Sequence, residues 1–271
     1  MSITGTLSGI AITAVVVYAI FLLLLFFMQA SLVFPAPPKN QLLYDKVSHF
    51  SADLNNGDLQ GWKVPGAKKG SDLVAVYFGG NGEDVAATIP SLKQIPVSMV
   101  YTFNYRGYGL SAGIPNETSL YEDALYIFGA IKKENPNSRI VIIGYSLGSA
   151  VAGYLASRTD APLLVLLAPL YSIERIAKEN FSALIPSVII KNKFNLAENA
   201  KKIKAKTLVI CAEEDTTINN IHSRETYANL PNAGKISLIK NAGHNDLFTK
   251  QATFTLMAEF FAAIPKNGST L

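Results

Sequence analysis

The chain has 271 residues, 49% of them hydrophobic and 16% charged, with a formal net charge of +4, which excludes a disordered polar protein and suits one catalytic domain with a small appendage. The basic residues bunch over 191–206, so the charge gives no support to a nucleic-acid role. The single cysteine, Cys211, sits in an apolar run; it excludes a disulfide within the chain and leaves the compartment open.

Residues 9–28 contain no charged side chain, and none precedes Lys39. A run of roughly 20 apolar residues is long enough to cross hydrocarbon as a helix, so a single-pass membrane helix is expected. A cleavable signal peptide wants a basic start, a shorter apolar core and a small-residue cleavage site, and none is clear here. No polar face breaks the run, which argues against a buried core helix. Lys39 and Lys46 after the span lean weakly toward a cytoplasmic catalytic domain; a very short tail can also remain inside while the domain crosses, and the side stays open. Pro35, Pro37 and Pro38 stop the helix and make a stiff spacer, so residues 1–38 read as anchor and spacer and 39–271 as the catalytic domain.

Two alternating stretches over 47–52 and 59–64, joined by Asn55-Asn56-Gly57, predict an antiparallel hairpin. Beyond it, short apolar runs over 73–78, 98–103, 139–143, 163–167, 207–212 and 235–239 alternate with amphipathic segments over 83–94, 119–134, 147–158, 221–230 and 250–263. That alternation predicts an α/β fold, a mainly parallel sheet with helices on both faces. Residues 170–200 interrupt it with an apolar-rich insertion, read as a small cap over the site. The Asn-x-Ser/Thr triplets at Asn116, Asn180 and Asn267 are about what chance provides and carry no weight.

The pentapeptide Gly144-Tyr145-Ser146-Leu147-Gly148 joins a buried strand to a helix. Glycines at both ends allow a tight turn, and Ser146 projects at a helix amino terminus, where free N–H groups and the dipole favour negative charge. A serine hydroxyl needs a base within reach and a carboxylate to orient that base. Of the three histidines, His49 lies on the hairpin and His222 in a predicted helix, both read as exposed polar residues; His244 follows the last strand and is the expected base. Asp215, closing the strand 207–212, is the best-placed carboxylate, with Glu213 and Glu214 as neighbouring substitutes and Asp246 too close to His244 in sequence to be preferred. For the tetrahedral oxyanion the expected donors are Leu147, after the nucleophile, and Asn81 in Gly79-Gly80-Asn81-Gly82; an ordinary glycine-rich turn is the other reading of that loop.

Taken together, Asn104-Tyr-Arg-Gly-Tyr-Gly-Leu-Ser-Ala-Gly113, the elbow, Asp215 and Gly243-His244-Asn245-Asp246 resemble the α/β-hydrolase superfamily over nearly the whole chain. Within it the chain is similar to the membrane-anchored branch of α/β-hydrolase-domain depalmitoylases and related bacterial hydrolases. The glycine loop departs from the family's His-Gly-Asn-x-Gly. The resemblance implies an α/β-hydrolase fold and hydrolysis of an ester, thioester or amide through an acyl-enzyme, with no metal or organic cofactor and with Arg106 structural rather than catalytic. Epoxide hydrolases and dehalogenases carry an aspartate where Ser146 stands.

Apolar cap residues and Lys191, Lys193, Lys201, Lys202, Lys204 and Lys206 suggest a lipophilic acyl substrate taken from an anionic membrane surface. Simple cap packing and a solvated lysine face read equally well. A serine aminopeptidase-like amide hydrolase and a non-catalytic hydrolase-fold binding protein are the competing functions; the oligomeric state is not legible.

Overall fold

The computed structural model describes residues 3–54, 58–181 and 184–263. Its first element, α1 (Ile3–Val33), is one continuous helix that runs past the apolar stretch 9–28 at both ends and stops before Pro35. Its most apolar window, within Leu7–Val33, has a mean hydropathy of 3.0 and contains no buried residue. By length and composition it can cross a membrane.

The hairpin expected from residue 47 begins later. Asn40 accepts the Leu43 N–H at 3.1 Å and caps α2 (Gln41–Val47), whose Tyr44 and Val47 are buried one turn apart, and a single 3-10 turn follows over Ser48–Phe50. Only then does β1 (Ser51–Leu54) pair antiparallel with β2 (Leu59–Pro65), from Ser51 opposite Trp62 to Leu54 opposite Leu59. The turn Asn55-Asn56-Gly57 and the triplet at Asn267 lie outside the described residues.

The remaining strands are β3 (Leu73–Phe78), β4 (Met99–Phe103), β5 (Arg139–Tyr145), β6 (Leu163–Leu167), β7 (Lys206–Ala212) and β8 (Ala233–Ile239). They form one eight-stranded sheet in the order β1-β2-β4-β3-β5-β6-β7-β8, parallel from β4 to β8. Intervening chain forms α3 (Val85–Leu92), α4 (Glu117–Glu134), α5 (Leu147–Ala156), α6 (Ile173–Phe181), α7 (Leu196–Ala200), α8 (Asn220–Ala228) and α9 (Gln251–Ala262). Side chains alternate between two cores: Val74, Val76, Ile140 and Ile142 pack with α4, α5 and α7, while Ala75, Tyr77, Val141 and Ile143 pack with α2, α3 and α9. Coverage of both faces is why the strands read as unbroken apolar runs. All five residues of β6 are fully buried, and each Leu there stabilises by about 1.5–3 kcal/mol relative to exposure.

Two further expectations change here. His222 is buried rather than exposed, because α8 presents it to the start of the 170–200 segment: its Nδ1 accepts the Tyr171 N–H at 3.3 Å and its Nε2 faces Glu179 at 2.8 Å. The lysines of 191–206 do not make one patch. Lys191 and Lys193 lie beside α1 and α6, but α7 packs Leu196, Ala197 and Ala200 into the core and carries the chain to the start of β7, so Lys204 and Lys206 sit at the opposite edge of the sheet from the loops after β5 and β7.

Candidate active site

Parallel strands end on one edge, so the loops after β3, β5, β7 and β8 meet there although they lie far apart in sequence. The tightest is the turn from β5 into α5. Ser146 has φ 51° and ψ −118°, a sparsely populated conformation for a residue with a Cβ. It is held there by its neighbours: its N–H donates to the Leu167 carbonyl at 2.9 Å, and the Ser149 N–H and hydroxyl both return to the Ser146 carbonyl, at 2.9 and 2.5 Å. Gly144 and Gly148 are required by contact, since a Cβ at Gly144 would strike the Gly148 carbonyl and one at Gly148 would strike the Phe78 carbonyl.

The Ser146 hydroxyl lies 2.9 Å from His244 Nε2, and His244 Nδ1 lies 2.7 Å from Asp215 Oδ2. With Nδ1 donating to the carboxylate, Nε2 is the ring nitrogen left to accept the serine hydroxyl. Asp215 is itself fixed: Oδ1 accepts the N–H groups of Thr217 and Ile218 at 3.0 and 2.8 Å, and its side chain is 1% exposed. The two acidic neighbours are elsewhere engaged or exposed, Glu213 accepting the Asn241 N–H at 3.0 Å. Asp246 caps its own turn by accepting the Gly243 N–H at 2.7 Å. Tyr145 packs against the His244 ring, its hydroxyl donating to the His244 carbonyl at 2.8 Å. Burial, then the nearby carboxylates Glu83, Asp215 and Asp246, push that phenol well above its usual range, so it stays a donor. His49, by contrast, is exposed and packs on Phe50.

The first N–H groups of α5, Leu147 included, have no acceptor within the helix. Across from them the glycine loop approaches so closely that a Cβ on Gly80 would touch the Tyr145 ring at 3.1 Å and the Ser146 Cβ at 3.5 Å. Glu83, expected as the first residue of a helix, instead precedes it: Asp84 caps α3, and Glu83 turns back to accept the Gly80 N–H at 2.6 Å, the Thr88 hydroxyl at 2.5 Å and the Tyr77 hydroxyl at 3.0 Å. Desolvation raises its carboxyl above the usual range against the pull of those donors. With Gly80 engaged, Asn81 is the loop residue that reaches the cavity in front of Ser146. Asn104 and Arg106 stand back from the serine: Asn104 Oδ1 accepts the Val85 N–H at 3.0 Å, and Arg106 forks onto Asp123 at 2.6 and 2.8 Å.

That cavity holds about 390 Å³, a size suited to a small organic ligand. Its walls are Ser146, Leu147 and Asn81 at one end, with Leu170, Ile173, Ile176, Phe181, Ile185 and Ile189 from the 170–200 segment and, on the other side, α1. None of the lining residues is Asp or Glu. A second hollow, lined by Tyr77, Glu83, Thr88, Tyr145 and Asn245, lies behind the glycine loop. Among the described residues no cluster of three or more His, Cys, Asp or Glu side chains is arranged to hold a metal ion.

Sequence reasoning missed Glu83, Tyr145 and the contribution of α1. Asp84, a capping residue ahead of the apolar Val85, signals that Glu83 lies outside the helix. Gln29, a lone amide after a long apolar run, was the visible sign that one side of α1 faces protein.

A family model described as "Serine aminopeptidase, S33" matches residues 98–194. The chain is 33% identical over 182 residues to the α/β hydrolase domain-containing protein aho-3 of Caenorhabditis elegans, covering 65% of this chain and 54% of that one. It is 25% identical over 209 residues to α/β hydrolase domain-containing protein 17C of Xenopus tropicalis, covering 75% of this chain and 66% of that one. It thus spans less than two thirds of the length of either relative. Among solved structures, the esterase Pf2001 of Pyrococcus furiosus superposes with a TM-score of 0.60 at 18% identity, over 84% of this chain and 96% of that one. A Paleococcus ferrophilus monoacylglycerol lipase gives 0.54 at 19% identity, over 75% and 97%. At such identities the likeness carries the fold.

Proposed function

We propose that this chain, similar to α/β-hydrolase domain proteins in sequence and to α/β hydrolases in fold, is a membrane-anchored serine hydrolase that cleaves an ester or thioester through an acyl-enzyme on Ser146. The observation that carries this reading is the unbroken chain of hydrogen bonds from Asp215 through His244 to Ser146, opening into an apolar cavity.

In the proposed reaction Ser146 Oγ attacks the substrate carbonyl carbon while His244 Nε2 takes its proton. Asp215 holds the imidazole in the required tautomer and stabilises the imidazolium. The N–H groups of Leu147 and Asn81 receive the developing oxyanion. Collapse of the tetrahedral adduct breaks the bond to the leaving alkoxide or thiolate, which departs with the proton from His244. Water, deprotonated by the same nitrogen, then attacks the acyl-serine and releases the carboxylic acid.

An aminopeptidase-like activity is the second reading, favoured by the description of the matching family model. A peptidase that grips a substrate's α-ammonium needs a carboxylate near the serine, whereas the cavity walls carry none, which supports the ester or thioester version. We further propose residues 1–38 as anchor and spacer and 39–271 as the hydrolase domain.

The direct test is labelling with a fluorophosphonate probe. Wild-type protein should label and Ser146→Ala should not, with the fold retained; labelling of Ser146→Ala would remove Ser146 from its role. Ester, thioester and aminoacyl-amide panels then separate the two readings.

A further inference from the structure

The wall of the cavity facing the 170–200 segment is the membrane-type helix itself. Leu25, Gln29, Leu32 and Val33 of α1 line the same space as Ser146. Their spacing puts them on one face of the helix. That face is tied to the segment opposite by specific bonds: Gln29 Nε2 donates to the Ile189 carbonyl at 3.0 Å, Gln29 Oε1 accepts the Lys191 N–H at 2.7 Å, and the Tyr18 hydroxyl donates to the Leu184 carbonyl at 2.9 Å. The Lys191 ammonium sits 3.7 Å from the centre of the Phe26 ring. At the base of the helix the Asn81 amide donates to the Val33 carbonyl at 3.4 Å, and Phe34 is buried against Phe194. A helix that served only as a tether has no need of such bonds. In hydrocarbon an unpaired amide or phenol is costly, so pairing them with peptide groups fastens the segment to the helix.

Position along the helix sets depth. Tyr18 lies fifteen residues before Val33, which at about 1.5 Å per residue is about 22 Å. Hydrocarbon is roughly 30 Å thick, so a helix that crosses it carries the segment around Leu184 into lipid. The side chains there suit that solvent: Phe181, Leu184 and Val188 are 43%, 57% and 87% exposed.

We propose that α1 and the stretches 173–181 and 184–190 jointly build an acyl-binding cavity at lipid depth, which receives the long acyl chain of a membrane-resident ester or thioester sideways from the leaflet and seats its carbonyl at Ser146. This rests on the serine-hydrolase reading above. Transfer of the acyl group to Ser146 Oγ releases the alcohol or thiol with the serine's proton, water cleaves the acyl-serine, and the fatty acid returns to the lipid.

The test uses the full chain in detergent micelles and two fluorophosphonates that differ only in alkyl length, hexadecyl and ethyl, so that the rate of Ser146 labelling is read without knowing the leaving group. Wild type should label faster with the long probe. Leu25→Trp, which fills the cavity from the α1 side, should lower the ratio of long-chain to short-chain rates by at least about tenfold. Leu23→Trp, on the outward face of the same helix, should leave that ratio as in wild type. If Leu25→Trp does not accumulate, Leu32→Phe is read the same way. An unchanged ratio in the cavity variants, with both probes still labelling, overturns the acyl cavity alone. Failure of both probes to label wild type overturns the serine reading and this proposal with it.

Discussion

Glu83 accepts the N–H of Gly80 at 2.6 Å, and this bond closes the glycine loop that packs against Tyr145 and Ser146. It also engages the Gly80 N–H, so in the proposed reaction Asn81, which lines the cavity, is the loop residue offered to the oxyanion. Glu83→Gln keeps an oxygen acceptor but places an amide among hydroxyl donors, so turnover should fall about tenfold with KM little changed. The pH dependence is distinctive. Glu83 has its folded pKa raised above the ordinary 4.5 by desolvation, so the folded state binds that proton more tightly than the unfolded chain. Its contribution to stability is present below about 4.5 and is lost as pH rises through the folded value. The stability of wild type relative to Glu83→Gln, read from denaturant midpoints, should therefore be greater at about pH 4 than at about pH 7; a difference that does not change with pH would show that Glu83 does not titrate there.

Asp215→Asn should preserve the loop, because its oxygen can still accept the N–H groups of Thr217 and Ile218. It should nevertheless lower kcat by about a hundred- to ten-thousandfold, since an amide no longer selects the tautomer in which Nε2 faces Ser146. Steady-state hydrolysis of an activated ester measures it, and retention of more than half the activity would argue that Asp215 has another role.

Ser146 sits at φ 51°, a conformation glycine adopts without strain. Ser146→Gly should be inactive and more stable than the equally inactive Ser146→Ala by about 1 kcal/mol, because only glycine relieves the backbone. Paired urea melts decide it; equal midpoints would mean that the turn stores no strain.

His222 bridges the Tyr171 N–H and Glu179, tying α8 to α6. His222→Leu fits the space but removes both bonds, which should cost about 1–3 kcal/mol and speed proteolysis between α6 and α7. Thermal melts with limited digestion test this, and an unaltered digestion pattern would show that the cap is held by its apolar contacts alone.

Arg106 forks onto Asp123, whose side chain is 3% exposed. Arg106→Leu takes the guanidinium from a buried carboxylate and should destabilise by about 3 kcal/mol, with Arg106→Lys intermediate because an ammonium cannot fork. Activity per folded molecule should be unchanged, as the pair lies away from the serine; a selective loss of turnover would place Arg106 in the chemistry.

The strands and helices were legible because their signals are local: both faces of the sheet are covered, so each strand is an apolar run, and Gly144 and Gly148 flank Ser146 within five residues. Chain order on a parallel sheet likewise pointed to Asp215 and His244, because strand ends converge on one edge whatever their separation in sequence. What the chain did not show was determined by contacts between segments far apart. His222 reads as a surface histidine until α6 brings Glu179 against it. The six lysines read as one patch until α7 turns the chain away. Glu83 reads as a helix residue until its carboxylate meets Gly80. The apolar run at the start determined a helix able to cross a membrane, since length and hydropathy are properties of the run alone. That the same helix walls the cavity in front of Ser146 depends on Gln29 and Tyr18 finding peptide groups some 160 residues away. Only the folded chain supplies those partners.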